Sequence, residues 1–207
     1  MRIFLLGATG HTGSHVVDLA LQRRHRVTAF VRSPQKMTRG DALLTIVQGD
    51  PLDVPALAGA LEGQDAVIST LGPSVRETLG KSSRMTDWGR STVAAMQAAH
   101  VQRIAILSAA VLFPLTGVQY RFFRWLLRHH ARDLAGMEAL VQEARTEWTI
   151  VRPPRLVESS DERYIAQSGG LPAGASTASF RAVAKFLVDA VEQRAHLAAV
   201  VGLVGAR

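Results

Sequence analysis

Gly7-Ala8-Thr9-Gly10-His11-Thr12-Gly13 is the segment of this chain whose residue types and spacing point most directly to chemistry. It follows the apolar run Ile3–Leu6 and precedes a stretch in which Val16, Val17, Ala20 and Leu21 form one apolar stripe. Between a strand and a helix, glycines at three-residue spacing have separate mechanical tasks. Gly7 permits a tight turn, Gly10 leaves the backbone open to a pyrophosphate, and Gly13 lets the helix pack close to the strand. The helix N-terminus offers free N–H groups and a partial positive charge to the phosphates, with Thr9, His11 and Thr12 in the same turn. Glycine also serves ordinary turns, so the strand–turn–helix context is what selects the dinucleotide reading.

The end of the second apolar run, Val27–Val31, carries the next signal. A fold that selects NAD places an acidic residue about 20 positions beyond the glycines, to bind the ribose 2′-hydroxyl. Here the run ends in Arg32-Ser33-Pro34-Gln35-Lys36, with no carboxylate. Arg32 can fork onto a 2′-phosphate and Lys36 can add a contact, which predicts NADP(H) over NAD(H). The competing reading is a solvated arginine in a turn.

These residues need a scaffold to hold them, and the pattern supplies one. Short aliphatic runs recur at Ile3–Leu6, Val27–Val31, Leu44–Val47, Ala66–Ser69, Ile104–Leu107, Thr149–Val151 and Val200–Leu203. Helical spacing lies between most of them: after the glycine turn, around Val93–Ala98, around Leu134–Val141 and around Val183–Val191. Apolar strands without clean alternation are buried on both faces, so the fold class is α/β: a doubly wound, Rossmann-type parallel sheet flanked by helices. One domain is expected over residues 1–207, with about 155–207 as a small substrate-side cap. Gln167–Ser179 is rich in glycine and serine and reads as a flexible loop.

As a set, Gly7-Ala-Thr-Gly-x-Thr-Gly13 and Val31-Arg32-x-Pro34-x-Lys36 resemble the atypical short-chain dehydrogenase/reductases. Gly49-Asp50, the segment Gly63–Gly72, Ser108 and Val151-Arg152-Pro153-Pro154 extend the match. The similarity is greatest to the NmrA-like NAD(P)-binding group that includes flavin reductase (biliverdin-IXβ reductase), over roughly residues 1–155. It implies local roles: Asp50 and Pro51 beside the adenine, Leu71 and Gly72 along the ribose and pyrophosphate, Ser108 near the nicotinamide, and Pro153 bordering the nicotinamide pocket. Turn chemistry before Pro51 is the plainer account of Asp50.

Typical members of the wider superfamily use a serine, a tyrosine and a lysine four residues later. Tyr164 is followed by Ser168, so it fails that test; Tyr120 follows Ser108 at a workable distance, but Arg124 stands where the lysine would be. Arginine can stabilise a phenolate yet cannot shuttle a proton. Flavin reductase-type chemistry avoids this need, because the hydride moves to a planar acceptor stacked on the nicotinamide. Ser108 is then the candidate for a hydrogen bond to nicotinamide or acceptor, Tyr120 a weaker catalytic candidate, and Arg155 a candidate contact for an anionic acceptor. The expected function is an NADPH-dependent reductase of a flavin, quinone or similar conjugated acceptor. The alternative is a non-catalytic NADP(H)-binding redox sensor acting through a protein partner.

Composition excludes other classes. The chain has no cysteine, which removes disulfides and thiolate metal sites. It has 24 basic and 17 acidic residues, a net charge of +7 that favours anionic partners. Arg121, Arg124, Arg128 and Arg132 form a basic stripe that could meet a protein or an anionic surface. No nucleic-acid-binding module is present, and no apolar run is long enough for a membrane span. A cytoplasmic location is expected. His129 and His130 are adjacent and diverge on a helix, which argues against a metal pair, and His25 reads as a polar turn residue.

Overall fold

The computed structural model describes residues 1–72, 83–114, 127–173 and 176–206. Chain order gives β1 (Arg2–Leu6), α1 (His11–Gln22), β2 (Arg26–Val31), β3 (Leu44–Gln48), α2 (Val54–Leu61), β4 (Ala66–Ser69), α3 (Arg84–Ala98) and β5 (Arg103–Leu107). There follow α4 (Arg128–Glu143), β6 (Glu147–Arg152), β7 (Arg155–Val157), β8 (Tyr164–Ser168), β9 (Thr177–Ser179), α5 (Phe180–Gln193) and β10 (Ala199–Gly205). Eight strands form one sheet in the order β3-β2-β1-β4-β5-β6-β10-β8. Every pairing in it is parallel except that of β8, which runs antiparallel to β10 at the edge. The doubly wound fold expected from the sequence is the fold observed.

Two-residue periodicity sorts each central strand onto two cores. Ile3 and Leu5 of β1 pack with Val16, Val17, Val183, Phe186 and Leu187, the faces of α1 and α5. Phe4 and Leu6 point the other way, against Leu57, Trp88, Met96, Leu134 and Met137 of α2, α3 and α4. Covered on both faces, β1 and β4 can be apolar at every position, which is why no alternation shows in their sequences.

α2 is the helix that apolar spacing did not reveal. Asp53 caps it, its carboxylate accepting from the Ala56 N–H at 3.1 Å, and Pro55 stands in its first turn. The supposed flexible loop at Gln167–Ser179 is instead bounded by strands. Gln167 and Ser168 pair with Gly202 and Val201, and Thr177–Ser179 forms β9 alongside β7. A glycine-rich composition did not prevent pairing where neighbouring backbone supplied partners.

The last fifty residues contribute in two ways. β10 extends the main sheet beside β6, and α5 covers β1, β4 and β5 on the α1 side. The two-stranded β7–β9 piece forms a separate sheet. Phe180, the first residue of α5, stacks on His11 with ring centroids 5.0 Å apart. His15 of α1 lies 3.7 Å from Glu158, just beyond β7. These contacts seat the β7–β9 piece against the start of α1.

Candidate functional site

The strand order reverses between β1 and β4: β2 and β3 extend to one side of β1, β4, β5 and β6 to the other. In an open parallel sheet, that switch leaves a crevice beyond the strands' C-terminal ends, and a dinucleotide lies across it. The glycine turn is at this point. Gly7 has φ +85°, a left-handed conformation that a side chain would strain. A Cβ on Gly13 would fall 2.0 Å from the Gly7 carbonyl oxygen, so only glycine allows α1 to approach the turn this closely. Gly10 is the residue preceding α1, and no side chain caps the helix there. The first N–H groups and the positive end of the helix dipole therefore face the crevice, which is the donor set a pyrophosphate requires.

Thr70, immediately after β4, closes the other wall. Its hydroxyl lies 3.1 Å from the Leu6 carbonyl and 3.2 Å from that of Gly7, tying the end of β4 to the turn. Leu71 and Gly72 continue from it, half-buried and exposed. Thr70 was not singled out from the sequence. Its position between a strand and Leu71-Gly72 was visible, but its bonds to the turn depend on β1 and β4 being neighbours.

On the β2 side, Arg32 and Lys36 are exposed and have no side-chain partner among the described residues. Asp50 is exposed as well, and one of its oxygens accepts from the Leu52 N–H at 3.0 Å. That bond is local turn chemistry, as the plainer reading held; the second carboxylate oxygen remains available. Pro51 is buried, its carbonyl accepting from the Ser91 hydroxyl at 2.6 Å.

On the β5–β6 side, Ser108 follows β5, and its N–H donates to the Val151 carbonyl at 2.8 Å. Ala110 N–H donates to Pro153 at 2.9 Å, so the pairing of β5 with β6 continues into the crevice and fixes both Ser108 and Pro153. Ser108 is 8% exposed, and its hydroxyl donates to Glu138 of α4 at 2.5 Å. Arg152 at the end of β6 grips the same carboxylate through Nε at 3.0 Å and Nη2 at 2.5 Å. The guanidinium also donates to the Leu112 carbonyl and lies over the Phe113 ring, 4.9 Å from its centroid.

Glu138 and Arg152 are the site residues that sequence reasoning missed. Glu138 falls within the apolar stripe of Leu134, Met137 and Val141, and a carboxylate at a core-facing position was the available signal. Arg152 was noted only as part of a motif.

Arg155 opens β7 and is exposed. Beyond it, a polar cavity of about 390 Å³ is lined by Val157, Ser159, Asp161, Arg163, Thr177 and Ser179, at the C-terminal end of β10. Bonds from the Arg163 side chain and backbone hold the Asp161 carboxyl down at about 2. Tyr120, Arg121 and Arg124 lie outside the described residues; Arg128 and Arg132 are exposed on α4. Among the described residues, no group of histidine and acidic side chains could hold a metal ion, and no helix is long and apolar enough to cross a membrane. His25, expected as a polar turn residue, follows the turn at residues 23–24 and is 5% exposed, with Nδ1 3.2 Å from the Met1 nitrogen.

Fold and crevice together define an NAD(P)-binding Rossmann-type domain. Residues 7–194 match the NAD(P)H-binding family, and the chain belongs to it. It is 28% identical over 179 residues to the oxidoreductase stcQ of Emericella nidulans, covering 74% of this chain and 64% of that protein. The chain spans less than two thirds of the length of the first curated relatives it matches. A Veillonella parvula short-chain dehydrogenase/reductase solved in complex with NADP superposes with TM-score 0.83 at 17% identity, covering 98% of this chain and 94% of that one. ChuY, an anaerobillin reductase from Escherichia coli, superposes with TM-score 0.78 at 18% identity, covering 99% and 97%. At these identities the structural likeness establishes the fold.

Proposed function

We propose that the protein is an NADPH-dependent reductase of the atypical short-chain type, acting on a flavin, quinone or similar conjugated acceptor. The observation that carries the preference for NADPH is the end of β2, where exposed Arg32 and Lys36 stand in place of a carboxylate. When bound, the reduced nicotinamide supplies a hydride, and the acceptor takes up one proton with it. Gly7, Gly10 and Gly13 with the start of α1 bind the pyrophosphate, while Thr70 holds that turn against β4. Thr9, His11, Thr12, Leu71 and Gly72 line the same crevice, and Asp50 and Pro51 bound its adenine end. Ser108 and Pro153 hold the nicotinamide end, and Arg155 offers a cation to an anionic acceptor where β7 begins.

A planar acceptor fits this arrangement because it requires stacking against the nicotinamide more than a dedicated acid. The reductase named among the structural neighbours and the fungal oxidoreductase support a redox role. The reading places the protein in the cytoplasm, where NADPH is available.

The test mixes purified protein with NADPH and, separately, FMN, a short-chain quinone and a linear tetrapyrrole, following loss of reduced-nicotinamide absorbance. Turnover with at least one acceptor, faster with NADPH than NADH, is the expected result. Tight NADPH binding without oxidation by any acceptor would move the assignment to a nucleotide sensor.

A further inference from the structure

The Glu138 carboxylate receives three donors from two other elements: the Ser108 hydroxyl after β5, and Nε and Nη2 of Arg152 at the end of β6. It is 2% exposed, so nothing about it is accidental surface pairing. A bidentate arginine alone would satisfy a buried carboxylate and tie α4 to β6. The third donor needs a separate reason, since Ser108 comes from another strand and stands at the rim of the crevice.

Arginine donates only, so both Glu138 oxygens accept from Arg152, and the oxygen facing Ser108 is already an acceptor. The bond between Glu138 and Ser108 therefore has one polarity: the serine gives up its single proton. Arg152 cannot swing away to relax this, because Nη1 donates to Leu112 and its plane lies over Phe113. What Ser108 retains is acceptor capacity, strengthened by the anionic partner on its proton.

The dinucleotide's position decides what that acceptor meets. Arg32, Lys36 and Asp50 lie on the β2–β3 side of the switch point, Ser108 on the β5–β6 side. A dinucleotide with its phosphates at the glycine turn and its adenosine toward Arg32 directs its other end toward Ser108. The group there that offers N–H donors is the nicotinamide carboxamide.

We infer that Glu138, locked by Arg152, is a positioning residue that makes Ser108 a dedicated hydrogen-bond acceptor for the nicotinamide carboxamide and not a proton donor to the acceptor molecule. The inference deepens the proposed function and rests on its placement of the nicotinamide over β5 and β6, but it needs no turnover to be tested.

The experiment compares NADP⁺ with 2′-phospho-ADP-ribose, which keeps the adenosine, phosphates and terminal ribose but lacks the nicotinamide. Both are titrated calorimetrically into the full chain and into Ser108→Ala, Ser108→Thr, Glu138→Gln and the Ser108→Ala/Glu138→Gln double variant. The dissociation constant of 2′-phospho-ADP-ribose divided by that of NADP⁺ isolates the nicotinamide end. Ser108→Ala and Glu138→Gln are each expected to cut that ratio by about 3- to 10-fold, the worth of one hydrogen bond. The double variant is expected to lose no more than Ser108→Ala alone, and Ser108→Thr, which keeps the hydroxyl, to restore the ratio. Affinity for 2′-phospho-ADP-ribose stays unchanged throughout.

Unaltered ratios, additive losses in the double variant, or a parallel fall in affinity for both ligands would each overturn the role of Glu138. Should Glu138→Gln fail to fold, Ser108→Ala and Ser108→Thr still decide whether the hydroxyl serves the nicotinamide. Wild-type protein that binds neither ligand would overturn the nucleotide reading itself, an outcome distinct from binding both equally well in every variant.

Discussion

Arg32 is an exposed guanidinium at the end of a buried strand with no side-chain partner among the described residues, and the 2′-phosphate contact proposed for it rests on that isolation. A fixed fork of N–H donors matches a phosphate, whereas a ribose hydroxyl would be better met by a carboxylate. Arg32→Ala is expected to raise the dissociation constant for NADPH by roughly 10- to 150-fold, the worth of a charge-assisted bond, and to leave that for NADH unchanged. Fluorescence titration with both cofactors checks this, and equal losses for the two would refute the 2′-phosphate role. Arg32 and the glycines stood out in the sequence because each is a distinctive residue type at a fixed offset from a strand. Glu138 was not, because its partners lie on β5 and β6 and meet it only when α4 docks on the sheet.

At the scale of elements, two helix starts depend on close tertiary contacts. The first is α1 against the glycine turn, where Gly13 leaves no room for a Cβ. Gly13→Ala should displace the helix start, cost on the order of 1–3 kcal/mol from overpacking and weaken NADPH binding together with thermal stability. Thermal melts with and without NADPH measure both effects; a variant that binds NADPH normally would contradict this account.

The second is the start of α3. The buried Asp133 carboxylate on α4 accepts from Met85 N–H at 3.1 Å and from Thr86 N–H at 2.9 Å, capping that helix from a neighbouring one. Asp133→Ala should lower stability by about 1–3 kcal/mol, since it leaves helix-terminal donors unpaired in a buried place. Asp133→Asn, which keeps an acceptor oxygen, should recover part of the loss in chemical denaturation. Neither cap nor clash shows in a hydropathy pattern. Asp53 could have announced α2 by capping rules, but eight residues give too few apolar repeats for periodicity to register.

Across the whole molecule, α1 and α5 are joined by a polar cluster beneath the shared core. Arg23 donates to Asp189 at 2.7 Å and to Glu192 at 2.6 Å; Lys185 and Tyr164 also donate to Asp189, at 2.7 and 2.8 Å. Burial by itself would raise the Asp189 carboxyl, but the bonds from Lys185, Arg23 and Tyr164 outweigh it and hold it below the ordinary value. Burial first, then Asp189, pushes the Tyr164 phenol upward, which suits a structural donor. His25 lies beside this cluster, and burial lowers its affinity for a proton while Glu192, 3.5 Å away, works the other way.

The two lowered groups act in separate pH windows. Unfolded chains take up a proton that folded His25 resists, so its contribution is intact above the ordinary histidine value of about 6.5 and is lost as pH falls below it. Asp189 contributes above the ordinary carboxylate value of about 3.9 and loses that contribution as pH falls toward its lower folded value. The melting temperature should therefore decline between pH 7 and pH 5. His25→Gln should flatten that decline without abolishing it, because burial also lowers half-buried His130. An unchanged slope in the variant would refute the assignment.

The sequence by itself determined the α/β class, the position of the glycine turn, the basic end of β2 and the apolar strands, because each is a local pattern with a local physical cause. Tertiary structure decided what lies opposite those features. Strand order placed Thr70 against Gly7, docked α4 so that Glu138 and Arg152 converge on Ser108, built β10 into the main sheet and packed α5 on its face. Those outcomes depend on contacts between residues distant in sequence. A hydrogen bond across such a separation leaves no periodicity in the chain from which it could be read.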